Sequence, residues 1–82
     1  MYIGYNQLLE QELEVQIVKL NIYANKNSEL NINDTLENIY SLLVILLEKG
    51  NVNLSCLDDL FDIIEEYNIQ SYYIQKIIDM FM

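Results

Sequence analysis

At 82 residues the chain has material for one hydrophobic core and no second, which excludes most multi-domain enzyme architectures. Thirteen Asp and Glu face four Lys, with no Arg and no His, for a formal net charge of -9 and a pI near 4.1. Direct contact with nucleic acid needs clustered cations and is excluded on that count, and zero His with a single Cys removes the usual zinc sets and any intrachain disulfide.

Apolar residues make up 52% of the chain, enough to fold rather than to stay disordered. Its opening, Met1-Tyr2-Ile3-Gly4, carries no basic segment, and the longest run free of charge and Asn is Ile39 to Leu47. Nine residues fall well short of the roughly 20 that cross a membrane, and no signal peptide is visible. The chain therefore reads as a complete, small, soluble, cytoplasmic open reading frame. Asn, Ile, Tyr, Phe and Lys total 35 residues against three for Ala, Gly, Pro and Arg, a balance that suits an AT-rich genome, as of low-GC bacteria and their phages, some large DNA viruses and a few protists.

In chain order, the first segment places Leu9, Leu13, Ile17, Leu20 and Ala24 at helical spacing, although Val15-Gln16-Ile17 and Leu20-Asn21-Ile22 alternate like strand. Helix is preferred over residues 13–23, because the upstream stretch is rich in helix formers and a lone strand finds a partner only in residues 30–33. A break near Glu12 would divide it in two. Asn25-Lys26-Asn27-Ser28, Asn31-Ile32-Asn33-Asp34 and Gly50-Asn51-Val52-Asn53 are the breakers of a chain without Pro.

The second segment carries capping-box spacing in Asp34-Thr35-Leu36-Glu37 and a left-handed terminator in Gly50, which predicts a helix over residues 35–49. Leu36, Ile39, Tyr40, Leu42, Leu43, Val44, Ile45, Leu46 and Leu47 cover most of its circumference, so it is expected to be the central helix. Ser55 is the expected cap of a third helix with Leu57, Leu60, Phe61, Ile64 and Tyr67 on its inner face. The last helix is expected to begin between Ile69 and Ser71 and to bury Tyr73, Ile74, Ile77, Ile78 and Phe81. The expectation is a single all-α domain over residues 1–82, a compact bundle of four to six short helices.

The third helix holds the most pointed feature. Asp58, Asp59, Asp62, Glu65 and Glu66 place five of the thirteen acids in a nine-residue window, and no Lys occurs between Lys49 and Lys76. Like charges at i, i+3 and i+4 weaken a helix by a few tenths of a kcal/mol per pair, so the pattern opposes folding unless a cation meets it. A solvated outer face is one reading. The other is a partner-binding surface that stands in for phosphates and occupies a basic groove on a protein. A metal site fits poorly, since the alternating acids and central Gly of a calcium loop are lacking.

Glu10, Glu12 and Glu14 read as solubilising surface, and an 82-residue helical bundle rarely encloses a substrate cleft, so no catalytic residues, metal or cofactor are assigned. Tyr23, Tyr40, Tyr67 and Tyr73 fall beside apolar stripes, whereas Tyr2, Tyr5 and Tyr72 are better interface candidates, with Tyr72 the expected aromatic anchor. Cys56 reads as a small semi-buried residue with no cation nearby to activate it.

Residues Ile39-Tyr40-Ser41-Leu42-Leu43-Val44-Ile45-Leu46-Leu47-Glu48-Lys49-Gly50 followed by Val52 and Leu57-Asp58-Asp59-Leu60-Phe61-Asp62-Ile63-Ile64 resemble the middle and later helices of death effector domains, within residues 36–69. That resemblance implies a six-helix death fold acting as a homotypic adaptor in apoptosis. The family's Arg-x-Asp-Leu motif falls on Glu66, Tyr67, Asn68 and Ile69, so an acid replaces the Arg, and Glu14 in the family's acidic partner position has no Arg to meet.

In type, with no shared motif, the chain is similar to small acidic anti-CRISPR proteins. The leading expectation is a non-enzymatic inhibitor that covers a basic nucleic-acid-binding surface of a host defence complex through Asp58, Asp59, Asp62, Glu65, Glu66 and Tyr72. Its partner would be a protein, with no direct nucleic acid and no membrane. The alternatives are the homotypic adaptor and a homo-oligomeric structural protein. With a mean hydropathy of +0.10 in so charged a chain, a homodimer is compatible with each.

Overall fold

In the computed structural model, which describes residues 5–50 and 54–81, the chain forms four helices: α1 (Tyr5–Asn25), α2 (Glu29–Glu48), α3 (Leu54–Glu66) and α4 (Tyr72–Met80). No strand occurs among the described residues. α1 is continuous, and the alternation at residues 15–22 is overridden because Leu13, Ile17, Leu20 and Ala24 form one buried line against the rest of the core. The breaker Asn51-Val52-Asn53 and Tyr2 lie outside the described residues.

Left-handed residues end the first three helices. Asn27 (φ 61°) and Asn68 (φ 51°) each open a reversal in which the next amide reaches back five residues, Ser28 N–H to the Tyr23 carbonyl and Ile69 N–H to the Ile64 carbonyl, both at 3.0 Å. This double closure satisfies carbonyls that a helix end leaves open, and Asn tolerates the left-handed region better than most residues. Gly50 (φ 73°) follows α2 in the same left-handed region, its own amide donating to the Leu47 carbonyl at 3.0 Å.

The start of α2 differs from the expectation. Ser28 is its N-cap, the Ile32 amide donates to the Ser28 carbonyl at 2.9 Å, and Asn31-Ile32-Asn33-Asp34 is helical. The box from Asp34 to Glu37 is therefore not a helix start. Ile32 is buried one turn before Leu36, and extending the apolar line against α1 outweighs the weak helix propensity of three polar residues. Ser55 likewise lies inside α3, which begins at Leu54, and so is not its cap. α4 begins at Tyr72, one residue past the expected range, because Ser71 is its N-cap and its hydroxyl accepts from the Tyr73 amide at 3.3 Å.

α2 packs against α1 on one side and α4 on the other, and α3 packs against α1, so the helices neighbour one another in the order α3, α1, α2, α4. Leu13 and Leu20 of α1, Leu36, Ile39, Leu43 and Leu46 of α2, Leu60 of α3 and Ile77 of α4 are fully buried. Burying each contributes about 1.5–3 kcal/mol before conformational entropy is subtracted. Phe81, expected inside, is the partly exposed C-cap of α4. The radius of gyration is 12.5 Å, close to the roughly 12 Å of a folded chain this long. No described helix is long and apolar enough to cross a membrane.

Candidate functional site: an acidic groove between α1 and α3

Asp58, Asp59, Asp62, Glu65 and Glu66 are all exposed on α3. At about 100° per residue they span roughly a third of the helix circumference, on the side away from the fully buried Leu60. The five are not equivalent. Asp59 and Asp62 border a depression of about 320 Å³ between α3 and α1, floored by Ile17, Val18 and Ile63 with Asn21 at its edge. An adjoining depression of about 270 Å³ shares Ile17, Val18 and Asp59 and adds Glu14, Ser55 and Cys56. Asp58 and Glu65 project further round α3.

Glu14 joins this site, which reading it as plain solubilising surface missed. Its Oε1 accepts a long hydrogen bond from Cys56 Sγ at 3.6 Å, tying α1 to α3. The available signal was the spacing Glu14, Ile17, Val18, Asn21, a polar-rimmed apolar pair on one helix face. Glu12 differs: it accepts from Gln16 Nε2 at 2.8 Å, and Asn38 Nδ2 of α2 donates to Gln16 Oε1 at 3.4 Å, so it belongs to the α1–α2 contact.

Cys56 is buried, and its thiol pKa is pushed up to about 11, first by desolvation and then by the Glu14 carboxylate. At pH 8 its thiolate fraction is about 100-fold below that of an ordinary cysteine, which suppresses its reactivity as a thiolate. The native thiol keeps its proton where the unfolded one loses it. This stabilisation is whole below the unfolded value near 9 and disappears as pH rises through 11. Urea unfolding at pH 8 and 10.5 is expected to show wild type losing about 2 kcal/mol more than Cys56→Ala over that interval.

Tyr72 does not sit in the groove. It lies on α4, 71% exposed, edge-on to Tyr73 with ring centroids 5.4 Å apart, and Lys76 Nζ is 4.9 Å from its ring and 5.4 Å from that of Tyr40. Tyr40 and Tyr73 approach to 6.2 Å across the α2–α4 contact, where desolvation and then the Glu37 carboxylate raise the Tyr73 phenol. This is a second surface group, aromatic and cation-bearing, on helices that neighbour α3 only through α1. Tyr23, Tyr40, Tyr67 and Tyr73 are half-buried at the core edge, as their spacing predicts.

Among the described residues no three His, Cys, Asp or Glu side chains are placed to hold a metal ion. No protein family, curated protein or solved structure matches this chain. The groove is thus defined by its own chemistry: an apolar floor about two helix turns long, with Glu14, Asp59 and Asp62 along it and three further carboxylates beyond.

Proposed function

We propose that this is a non-enzymatic inhibitor of a phage or other mobile element, acting inside the host cell, whose α3 carboxylate face occupies a basic nucleic-acid-binding surface of a defence complex. The observation that carries this reading is the uniform exposure of the five α3 carboxylates, in a helix that contains no cation. Repulsion along such a face opposes folding and is relieved when a cationic surface meets it. The fixed negative charges recur along about 12 Å of helix, a length comparable with a few phosphates of a nucleic-acid strand. Carboxylates on a rigid helix also cost little entropy to order, which favours tight association.

Capture from nuclease-treated host lysate tests the reading. Immobilised wild-type protein is expected to retain a nucleic-acid enzyme or defence complex, and added nucleic acid is expected to displace it. Retention that survives saturating nucleic acid would argue against occupation of the nucleic-acid surface.

A further inference from the structure

The outward face of α1 repeats every seven residues. Leu8, Val15 and Ile22 recur at that interval, and Gln11, Val18 and Asn25 each follow three residues later, the a and d spacing of a coiled-coil seam. The domain core does not use this seam. Leu13, Ile17, Leu20 and Ala24 face inward, whereas Leu8, Val15, Val18 and Ile22 are 50%, 46%, 59% and 44% exposed. α2 lies on the Gln16 side of α1 and α3 on the Glu14 side, as their cross-helix hydrogen bonds show, so Leu8, Val15 and Ile22 point away from both, while Val18 lies at the α3 side of the seam, where it also borders the α1–α3 groove. Four large apolar side chains on one outward line form a contiguous patch of the kind that marks an interaction site.

The flanks of the seam identify the occupant. One side carries Gln7, Glu14 and Asn21 at g positions, and the other carries Glu12, Lys19 and Lys26 at e positions, all exposed. When two identical helices pair in parallel, a g residue meets the e residue of the following heptad of the other copy. Glu14 then meets Lys19 of the second copy, twice by symmetry, and Asn21 meets its Lys26. An antiparallel pair sets g against g and e against e: Glu12 can then meet Lys26, but only with Lys19 facing Lys19 of the other copy and the Glu14–Lys19 match lost. The β-branched Val15 and Ile22 at a positions favour two strands over three, while Gln11 and Asn25 at d positions fix register and weaken the contact.

We propose that the α1 seam is a homodimer interface in which two copies associate in parallel, in register, about a two-fold axis running along α1. It shares Glu14 and Val18 with the groove but none of the α3 carboxylates, so the oligomeric state of the chain alone, measured without any partner, tests it apart from the inhibitor reading.

Sedimentation equilibrium of the full chain tests it. Wild type is expected to show a concentration-dependent dimer, and Val18→Glu, at an exposed position, is expected to raise its Kd by about 100-fold or more with the circular dichroism unchanged. Glu14→Lys is expected to weaken the dimer several-fold and the double variant Glu14→Lys/Lys19→Glu to restore it. Val15→Cys is expected to yield an oxidised covalent dimer, since facing a positions in a parallel pair come within disulfide reach and Cys56 is buried. A chain that stays monomeric to millimolar concentration, or a dimer indifferent to Val18→Glu, would overturn the proposal. A dimer that neither cross-links through Val15→Cys nor recovers in the charge swap would overturn its parallel register.

Discussion

The triple charge reversal Asp59→Lys, Asp62→Lys, Glu66→Lys is expected to weaken partner binding by at least about 100-fold, which is about 2.7 kcal/mol or a little under 1 kcal/mol per site. The fold is expected to survive, because all three side chains are exposed. The cation placed at position 62 would stand four residues after Asp58 and three before Glu65, where opposite charges stabilise a helix by about 0.2–0.5 kcal/mol per pair. Helicity by circular dichroism should therefore be unchanged or slightly higher while affinity collapses. Asp58→Lys with Glu65→Lys, at positions further round α3 from the groove, is expected to cost less. Equal losses per reversed charge in the two variants would mean that overall charge governs association and the groove does not.

Leu43→Ala is expected to lower the unfolding free energy by about 2–5 kcal/mol. A domain of this length has only about 4–12 kcal/mol to lose, so the variant should melt roughly 10–30 °C lower. Leu43 is fully buried in α2, the helix that packs against both α1 and α4. Leu30→Ala supplies the contrast: the same residue type on the same helix, but 81% exposed, and expected to change stability by no more than about 0.5 kcal/mol. Urea unfolding of the two variants checks both values. Similar losses would show that α2 is not held by the buried line from Ile32 to Leu46.

Leu43 lies in a periodic apolar run that predicts a central helix wherever the ends fall, and the inner stripe of α1 is equally plain. The start of α2 was hidden because Asn31, Asn33 and Asp34 have turn chemistry, while the reason they are helical, the burial of Ile32 and Thr35, is a tertiary fact. Asn27 and Asn68 close two helices by a left-handed turn whose hydrogen bonds depend on φ, which residue type only hints at. The residues behind the resemblance to death effector domains include Ile39, Leu43, Leu46, Leu57 and Leu60, all buried, and such spacing serves any pair of packed helices.

The candidate site was legible in part. The exposure of all five α3 carboxylates follows from their spacing opposite Leu57 and Leu60. That Asp59 and Asp62 share a groove with Glu14, 45 and more residues earlier in the chain, depends on which helix α3 packs against, and no local pattern encodes that choice. The same choice leaves Tyr72 among Tyr40, Tyr73 and Lys76 on the α2–α4 side.

The central claim is that a carboxylate face on α3 binds a cationic surface on another protein. Its most direct test is the dissociation constant of the captured complex measured from low to physiological ionic strength. Shortening the screening length from about 30 Å at 0.01 M to about 8 Å at 0.15 M should weaken wild-type binding steeply and that of the triple variant hardly at all. A wild-type affinity that stays flat across that range would contradict the account.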